Sequence, residues 1–178
     1  EAFGHAMRLI VAAGSAQAVR AGCAARGVRP SLDWLEVSIF TAVDFALRHS
    51  AVDYADAIAC MHRTGRLLGQ LMQDRCDVLL TPTLTEPPAP IGRYAADRDY
   101  VSHRSDTLRY TAFLPYFNAS GQPAMSVPLF WNAQQLPIGV QFAAPLGDEH
   151  VLLRLAAQLE AARPWHQRLS PLARMDRA

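Results

Sequence analysis

The 178-residue chain contains no lysine, because all 17 of its basic residues are arginine. This absence excludes, within the chain, any chemistry that needs a lysine amine as a base, a Schiff-base nucleophile or a phosphate-loop charge. Cysteine is also scarce, and Cys23, Cys60 and Cys76 form an odd set at wide spacing. That pattern fits neither a disulfide framework nor paired zinc ligands, so we expect inert thiols and a cytoplasmic protein.

The sequence also lacks an excess of charge of one sign, and it lacks long apolar runs. With 17 basic and 16 acidic residues the formal net charge is +1, which argues against an extended nucleic-acid surface. Charged residues or prolines interrupt every apolar run well before the roughly 18 residues that a membrane span needs. The first residue is Glu1, with no initiator Met and no signal-like leader, so we expect a part excised from a longer chain.

Local patterns in the first part of the chain predict helices. Residues 1–27 are rich in alanine and are punctuated by Gly14 and Gly27, which predicts two short helices. A further helix is predicted to open at Pro30 and Ser31. Apolar residues then recur three to four apart, as one helical stripe requires: Leu32, Leu35, Ile39, Val43 and Leu47.

The clearest helix signal follows this segment. Ser50 and Asp53 have the spacing of a capping box, and apolar residues continue from Tyr54 to Met72 at alternating intervals of four and three. The opposite face carries polar side chains, which are most simply a solvated surface: Asp56, Arg63, Arg66, Gln70 and Asp74.

The spacing of the apolar residues changes in the second half of the chain. The short apolar run at residues 78–80 predicts a central strand that is covered on both faces, and a rigid proline-rich loop follows it. A helix is predicted over residues 103–114, with Pro115 closing it. Residues 124–131 and 138–143 predict a hairpin in which Pro128 marks an edge or a bulge.

A final amphipathic helix is predicted after residue 148. Asp148 is placed as its N-cap, and its apolar stripe ends before Pro164. Trp165 is expected to fold back onto this helix, and residues 173–178 are expected to form a frayed tail.

Sequence motifs of several enzyme classes are missing. The chain has no G-x-S-x-G turn, no H-E-x-x-H pair among its 6 histidines and no phosphate-binding glycine loop. We therefore expect no metal or cofactor site. An unrelated hydrolase that uses His103 or His150 with an aspartate is a minor alternative.

Three motifs resemble a known family in their order and spacing. They are DVLLTPT at residues 77–83, NASGQPAMSVP at residues 118–128 and LPIGVQF at residues 136–142. Together with the closing helix and its Pro-Trp end, they are similar to the C-terminal third of amidase signature enzymes, over about residues 50 to 170. Residues 124–131 most resemble enzymes of the 6-aminohexanoate cyclic dimer hydrolase type.

This resemblance implies a fold and an activity. The fold is an α/β class, the C-terminal segment of the amidase-signature fold, with helices packed on a few strands of a mixed β-sheet. The activity is hydrolysis of a carbon-nitrogen amide bond through a serine acyl-enzyme, with a second serine and a lysine and without a cofactor. The chain has no Lys, no Ser-Ser and no Gly-Gly, so no catalytic residue carries over.

The resemblance also suggests a substrate-cleft wall, because the matching loops border the cleft in the family. Six residues are candidates for it: Thr81, Phe113, Tyr116, Phe117, Asn118 and Gln122. Each has a structural alternative: Phe113 and Phe117 are four apart and suit a core. Asn118 can build a turn with Gly121, and Thr81 can simply end a strand.

Two hypotheses of different classes follow. In the first, residues 1–178 are a single partial domain of an amidase, inactive alone, whose partners are the remainder of its parent chain and a small-molecule amide. In the second, the chain is a binding or scaffold module that retains the fold segment without its chemistry. Neither hypothesis predicts a nucleic-acid or membrane partner, and a homo-oligomer is left open.

Overall fold

The computed structural model describes residues 1–166 and 168, and these residues combine helices with a small antiparallel sheet. This composition confirms the predicted α/β class. The elements follow one another as α1 (Ala2–Arg26), α2 (Val37–Leu47), α3 (Ala51–Arg75), β1 (Leu79–Pro82), α4 (Tyr100–Tyr110), α5 (Leu114–Ser120), β2 (Ala124–Trp131), β3 (Pro137–Ala143) and α6 (Glu149–Ala162).

The first helix is continuous, so the prediction of two short helices was wrong. An interior glycine costs a helix only about 1 kcal/mol relative to alanine, and the buried face formed by Ala6, Leu9 and Ala12 offsets that cost at Gly14. Gly27 does end the helix, as expected. Its φ is 64°, and the N–H of the next residue donates to the Cys23 carbonyl at 3.1 Å.

The second helix begins at Val37, later than the apolar stripe predicted. Ser31 and Asp33 explain the delay with a local turn: the Ser31 hydroxyl donates to the Asp33 carboxylate at 2.7 Å and accepts the Asp33 N–H at 3.1 Å. Such side-chain bonds to nearby backbone compete with helix formation. Leu32 accordingly lies outside the helix and is exposed.

The capping box of α3 is confirmed. The Ser50 hydroxyl accepts the Asp53 N–H at 3.1 Å, and the Asp53 carboxylate accepts the Ser50 N–H at 2.7 Å. The hydrogen bonds from the Ser50 side chain and backbone hold the pKa of Asp53 below its ordinary value. Ala57 and Met61 then pack against Ala6 and Leu9 of α1.

The predicted hairpin is also confirmed, but β1 is placed differently from its prediction. The strand order is β1-β3-β2, with antiparallel pairs throughout, so β1 is an edge strand of the described sheet rather than a central one. Its Leu79 packs against Met72 and Phe117, whereas Leu80 on the other face is exposed. Register shifts between Pro128 and Phe130, which confirms the bulge expected there.

Pro115 does not close the preceding helix. The predicted helix is α4, which ends at Tyr110, and Pro115 lies in the first turn of α5. A first-turn N–H has no partner within its helix, so proline is tolerated there.

The sheet is covered differently on its two faces. On one face, Val127, Leu129 and Phe142 pack with Leu152 of α6, and Trp165 folds back against this core as predicted. On the other face, α3 and α5 cover only the end of the sheet near Ala143. The predicted tail at residues 173–178 lies outside the described residues.

We predict that Ser50→Ala lowers the free energy of unfolding by about 1 kcal/mol, because it removes the hydroxyl that caps α3. Urea denaturation measures this loss. Ser105→Ala is the matched control, since Ser105 donates to the Val101 carbonyl inside α4 and caps nothing. An equal loss in both variants would contradict the capping assignment.

The Ser50→Ala loss is also expected to depend on pH. Because the folded-state pKa of Asp53 lies below 3.8, the stability it contributes is present above that pH and disappears as pH falls through the lowered pKa. The difference between wild type and Ser50→Ala should therefore shrink in acid, because protonation weakens the bond from the Ser50 hydroxyl to the Asp53 carboxylate, while the bond from the Asp53 N–H to that hydroxyl remains.

Candidate functional site

A row of polar side chains crosses the sheet on the face opposite α6. Thr81 of β1 is paired with Gln141 of β3, and Gln141 is paired with Ser126 of β2. Directly paired residues point to the same face of a sheet. Gln141 is only 3% exposed, and its side-chain amide donates to the Thr81 hydroxyl at 2.9 Å. The row is thus tied together at its β1 side.

Two hydroxyl groups meet at the rim of this row. Thr83 lies one residue beyond β1, and its Oγ1 is 2.6 Å from the Oγ of Ser126. The Thr83 N–H donates to the Gly139 carbonyl at 3.1 Å. This backbone bond continues the pairing of β1 with β3 past the end of the strand, and it holds Thr83 over the hairpin.

Gly139 is required here for space. A Cβ at this position would lie 2.8 Å from both Thr83 Oγ1 and Ser126 Oγ, and 3.1 Å from Thr83 Cβ. Its φ lies outside the left-handed region that favours glycine. Gly139 therefore permits the close approach of the two hydroxyls rather than an unusual backbone conformation.

The hydroxyl pair opens into a cleft of about 400 Å³. The cleft lies between the loop after β1 and the turn end of the hairpin, and mostly apolar surface forms its walls. Its lining consists of Thr83, Leu84, Thr85, Glu86, Pro87, Ser126, Pro128, Pro137, Ile138 and Gly139.

The acidic residue in this lining, Glu86, is hydrogen-bonded to two of its neighbours. The Glu86 carboxylate accepts hydrogen bonds from the Arg93 guanidinium at 3.2 Å and from the Tyr94 hydroxyl at 3.3 Å. The adjacent cation offsets its charge. The cleft therefore suits a neutral, partly apolar ligand better than an ion.

Three of the predicted wall residues lie around the sheet. Thr81 belongs to the polar row, two residues from Thr83. Phe117 is buried in a small core with Met72 and Ala143, as the structural alternative for this residue predicted. Gln122 is also buried; its side-chain oxygen accepts from the Ser120 hydroxyl at 3.0 Å.

The other three lie on or next to α5. Phe113 precedes the helix and is half-buried, Asn118 is exposed, and Tyr116 stacks on Phe3 with ring centroids 4.5 Å apart. Tyr116 lines a separate cavity of about 1000 Å³ beside the start of α1. None of the six lines the described cleft at the hydroxyl pair, and their part in substrate binding stays a prediction.

Sequence reasoning missed Thr83, Ser126 and Gly139 as a group. All three lie inside the motifs that carry the family resemblance, at residues 77–83, 118–128 and 136–142. The signal was the register: once β1 and the hairpin are paired, these residues fall at one edge of one face.

Among the described residues, no histidine belongs to the lining of this cleft. His103 Nε2 lies 3.1 Å from the Tyr94 carbonyl oxygen, and exposed His150 lies 3.9 Å from Asp148. Within residues 1–166 and 168, no three His, Cys, Asp or Glu side chains are grouped so that they could hold a metal ion. Over the same residues, no helix is both long and apolar enough to cross a membrane.

Comparison with solved structures identifies the class of fold. The structure of a 6-aminohexanoate cyclic dimer hydrolase superposes with a TM-score of 0.85 at 29% identity, over 93% of this chain and 35% of that one. A crystal structure of an amidase has a TM-score of 0.67 at 22% identity, over 92% of this chain. The architecture is that of the amidase-signature hydrolases.

The family assignment is equally direct. The family model described as Amidase matches residues 17–153, so the chain belongs to the amidase family, as its motifs predicted. A putative amidase AmiC of Mycobacterium leprae is 44% identical over 89 residues, or 50% of this chain and 19% of that protein. The 6-aminohexanoate-cyclic-dimer hydrolase of Paenarthrobacter ureafaciens is 40% identical over 107 residues, covering 57% of this chain and 22% of the hydrolase.

We predict that Gly139→Ala destabilises the protein by about 1 to 3 kcal/mol, because its methyl group collides with both hydroxyls. The free energy of unfolding measures the cost. Gly22→Ala in α1 is the matched control, since nothing lies within 4 Å of the added Cβ; it should stabilise by up to about 1 kcal/mol. Equal tolerance of both changes would contradict the close approach at Gly139.

Proposed function

We propose that this chain is the C-terminal part of an amidase that hydrolyses carbon-nitrogen amide bonds through a serine acyl-enzyme. The segment supplies sheet, packing and part of the substrate-cleft wall. One observation carries the proposal: 93% of the chain superposes on a 6-aminohexanoate cyclic dimer hydrolase but covers only 35% of it. The matched region is thus a part of a larger hydrolase fold.

The catalytic residues are proposed to lie in the remainder of the parent protein. An amidase of this type needs a serine nucleophile and an amine that accepts its proton through a bridging hydroxyl. The chain has neither a lysine nor adjacent serines. Ser126 does not replace them, because its contact at 2.6 Å is another hydroxyl, which is too weak a base to activate a nucleophile.

The remainder of the parent chain is also the proposed partner of the exposed apolar side chains. Leu80 on the edge strand β1 is 60% exposed, Leu67 on α3 is 67% exposed and Leu153 on α6 is 71% exposed. An uncovered strand edge with apolar neighbours favours pairing with further polypeptide. In this proposal, these surfaces are buried within the complete enzyme.

The proposal is tested by comparing amide hydrolysis by the full-length protein and by the 178-residue chain. The full-length protein should hydrolyse a simple aryl or aliphatic amide. The 178-residue chain should be at least about 1,000-fold slower, because it lacks the nucleophile and its base. Release of ammonia or amine measures both rates.

Two results would contradict the proposal. A full-length protein without amidase activity would favour a scaffold module. Turnover by the 178-residue chain that Ser126→Ala abolishes would place a complete nucleophilic centre inside it.

A further inference from the structure

The Thr83–Ser126 pair retains hydrogen-bonding capacity that its own contact does not use. Two hydroxyls carry two O–H donors and several lone pairs, and one donor is consumed between them. One oxygen therefore keeps an O–H and the other keeps a lone pair that can accept, and neither group has a further partner among residues 1–166 and 168. This donor and acceptor stand 2.6 Å apart at the rim of the cleft, and Ser126 is exposed to it.

A ligand that uses both groups must present an acceptor and a donor on the same side. A primary carboxamide and a lactam do so, because their C=O and one N–H point in the same direction. An ordinary secondary amide is trans, with C=O and N–H on opposite sides, and engages only one of the two groups. A carboxylate presents two acceptors and no donor.

The surroundings of the pair favour the same ligands. Glu86 is engaged by Arg93 and Tyr94, so the charges of this part of the lining are already paired. Leu84, Pro128 and Ile138 offer apolar surface to a hydrocarbon substituent. A neutral amide with a hydrocarbon body therefore fits both the polar rim and the apolar wall.

We propose that Thr83 and Ser126 bind the edge of a primary carboxamide or lactam and thereby set the specificity of the cleft. This inference rests on the proposed amidase function, which makes such a group part of the substrate. Gly139 is essential to it, because any larger residue would push the two hydroxyls apart.

The test uses the full-length protein and two probes, benzamide and N-methylbenzamide. Dissociation constants are measured by NMR titration, and hydrolysis of both amides is followed in parallel. Wild type should bind benzamide about three- to tenfold more tightly than N-methylbenzamide, since one additional neutral hydrogen bond forms. Thr83→Val and Ser126→Ala should reduce benzamide binding to the level of N-methylbenzamide and leave N-methylbenzamide binding within about twofold.

Thr83→Ser is the conservative control, because it keeps the hydroxyl, and it should retain the preference for benzamide. Lack of preference in wild type, or an unchanged preference in Thr83→Val and Ser126→Ala, would overturn the inference. A preference that follows the hydroxyls without hydrolysis of either amide or of a wider amide panel would support the binding site and refute the amidase function. Failure of the binding-site inference can therefore be told apart from failure of the proposed amidase function.

Discussion

The contact between Thr83 and Ser126 across Gly139 is the constraint on which the candidate site depends. It joins the loop after β1 to β2, over a position of β3 that has no side chain. A hydrogen bond from the Thr83 N–H to the Gly139 carbonyl sets the distance. The hydroxyl contact and this backbone bond together hold the loop against the hairpin, and the loop forms one wall of the cleft.

One face of the sheet packs in the hydrophobic core, and the other face carries the polar side chains of the candidate site. The face toward α6 is apolar, and Phe142 and Val127 supply its core. Gln141 and Ser126 are neighbours of these residues in sequence and point to the opposite face, because successive side chains in a strand alternate. The same two strands therefore build a core on one side and a polar row on the other.

Burial gives the polar row its rigidity. Gln141 is almost fully buried, and its amide donates to Thr81, so a missing partner would leave an unpaired buried donor. This cost favours one arrangement of Thr81, two residues before the hydroxyl pair. Thr81, predicted as a wall residue, therefore contributes most directly by fixing the strand that leads to Thr83.

The sequence predicted the elements whose signals are local. Helix α3 was found through its capping box at Ser50, and the hairpin through two β-prone runs around a loop. The start of α2 was wrong because the bonds between Ser31 and Asp33 outweigh an apolar stripe.

Features that depend on tertiary placement were harder to predict. An apolar run at residues 78–80 does not reveal whether another strand lies beside it, so β1 was expected at the centre and lies at an edge of the sheet formed by residues 1–166 and 168. The hydroxyl pair was missed for a related reason. Thr83 and Ser126 are 43 residues apart, and only the register of the sheet brings them together.

A double-mutant cycle on the free energy of unfolding tests the central contact most directly. It compares Thr83→Val, Ser126→Ala and the double variant in the full-length protein. If the two hydroxyls bond to each other, the cost of the double variant should fall short of the sum of the single costs by about 1 kcal/mol. Costs that add within about 0.3 kcal/mol would show that the two side chains do not interact, and would contradict the account of the cleft.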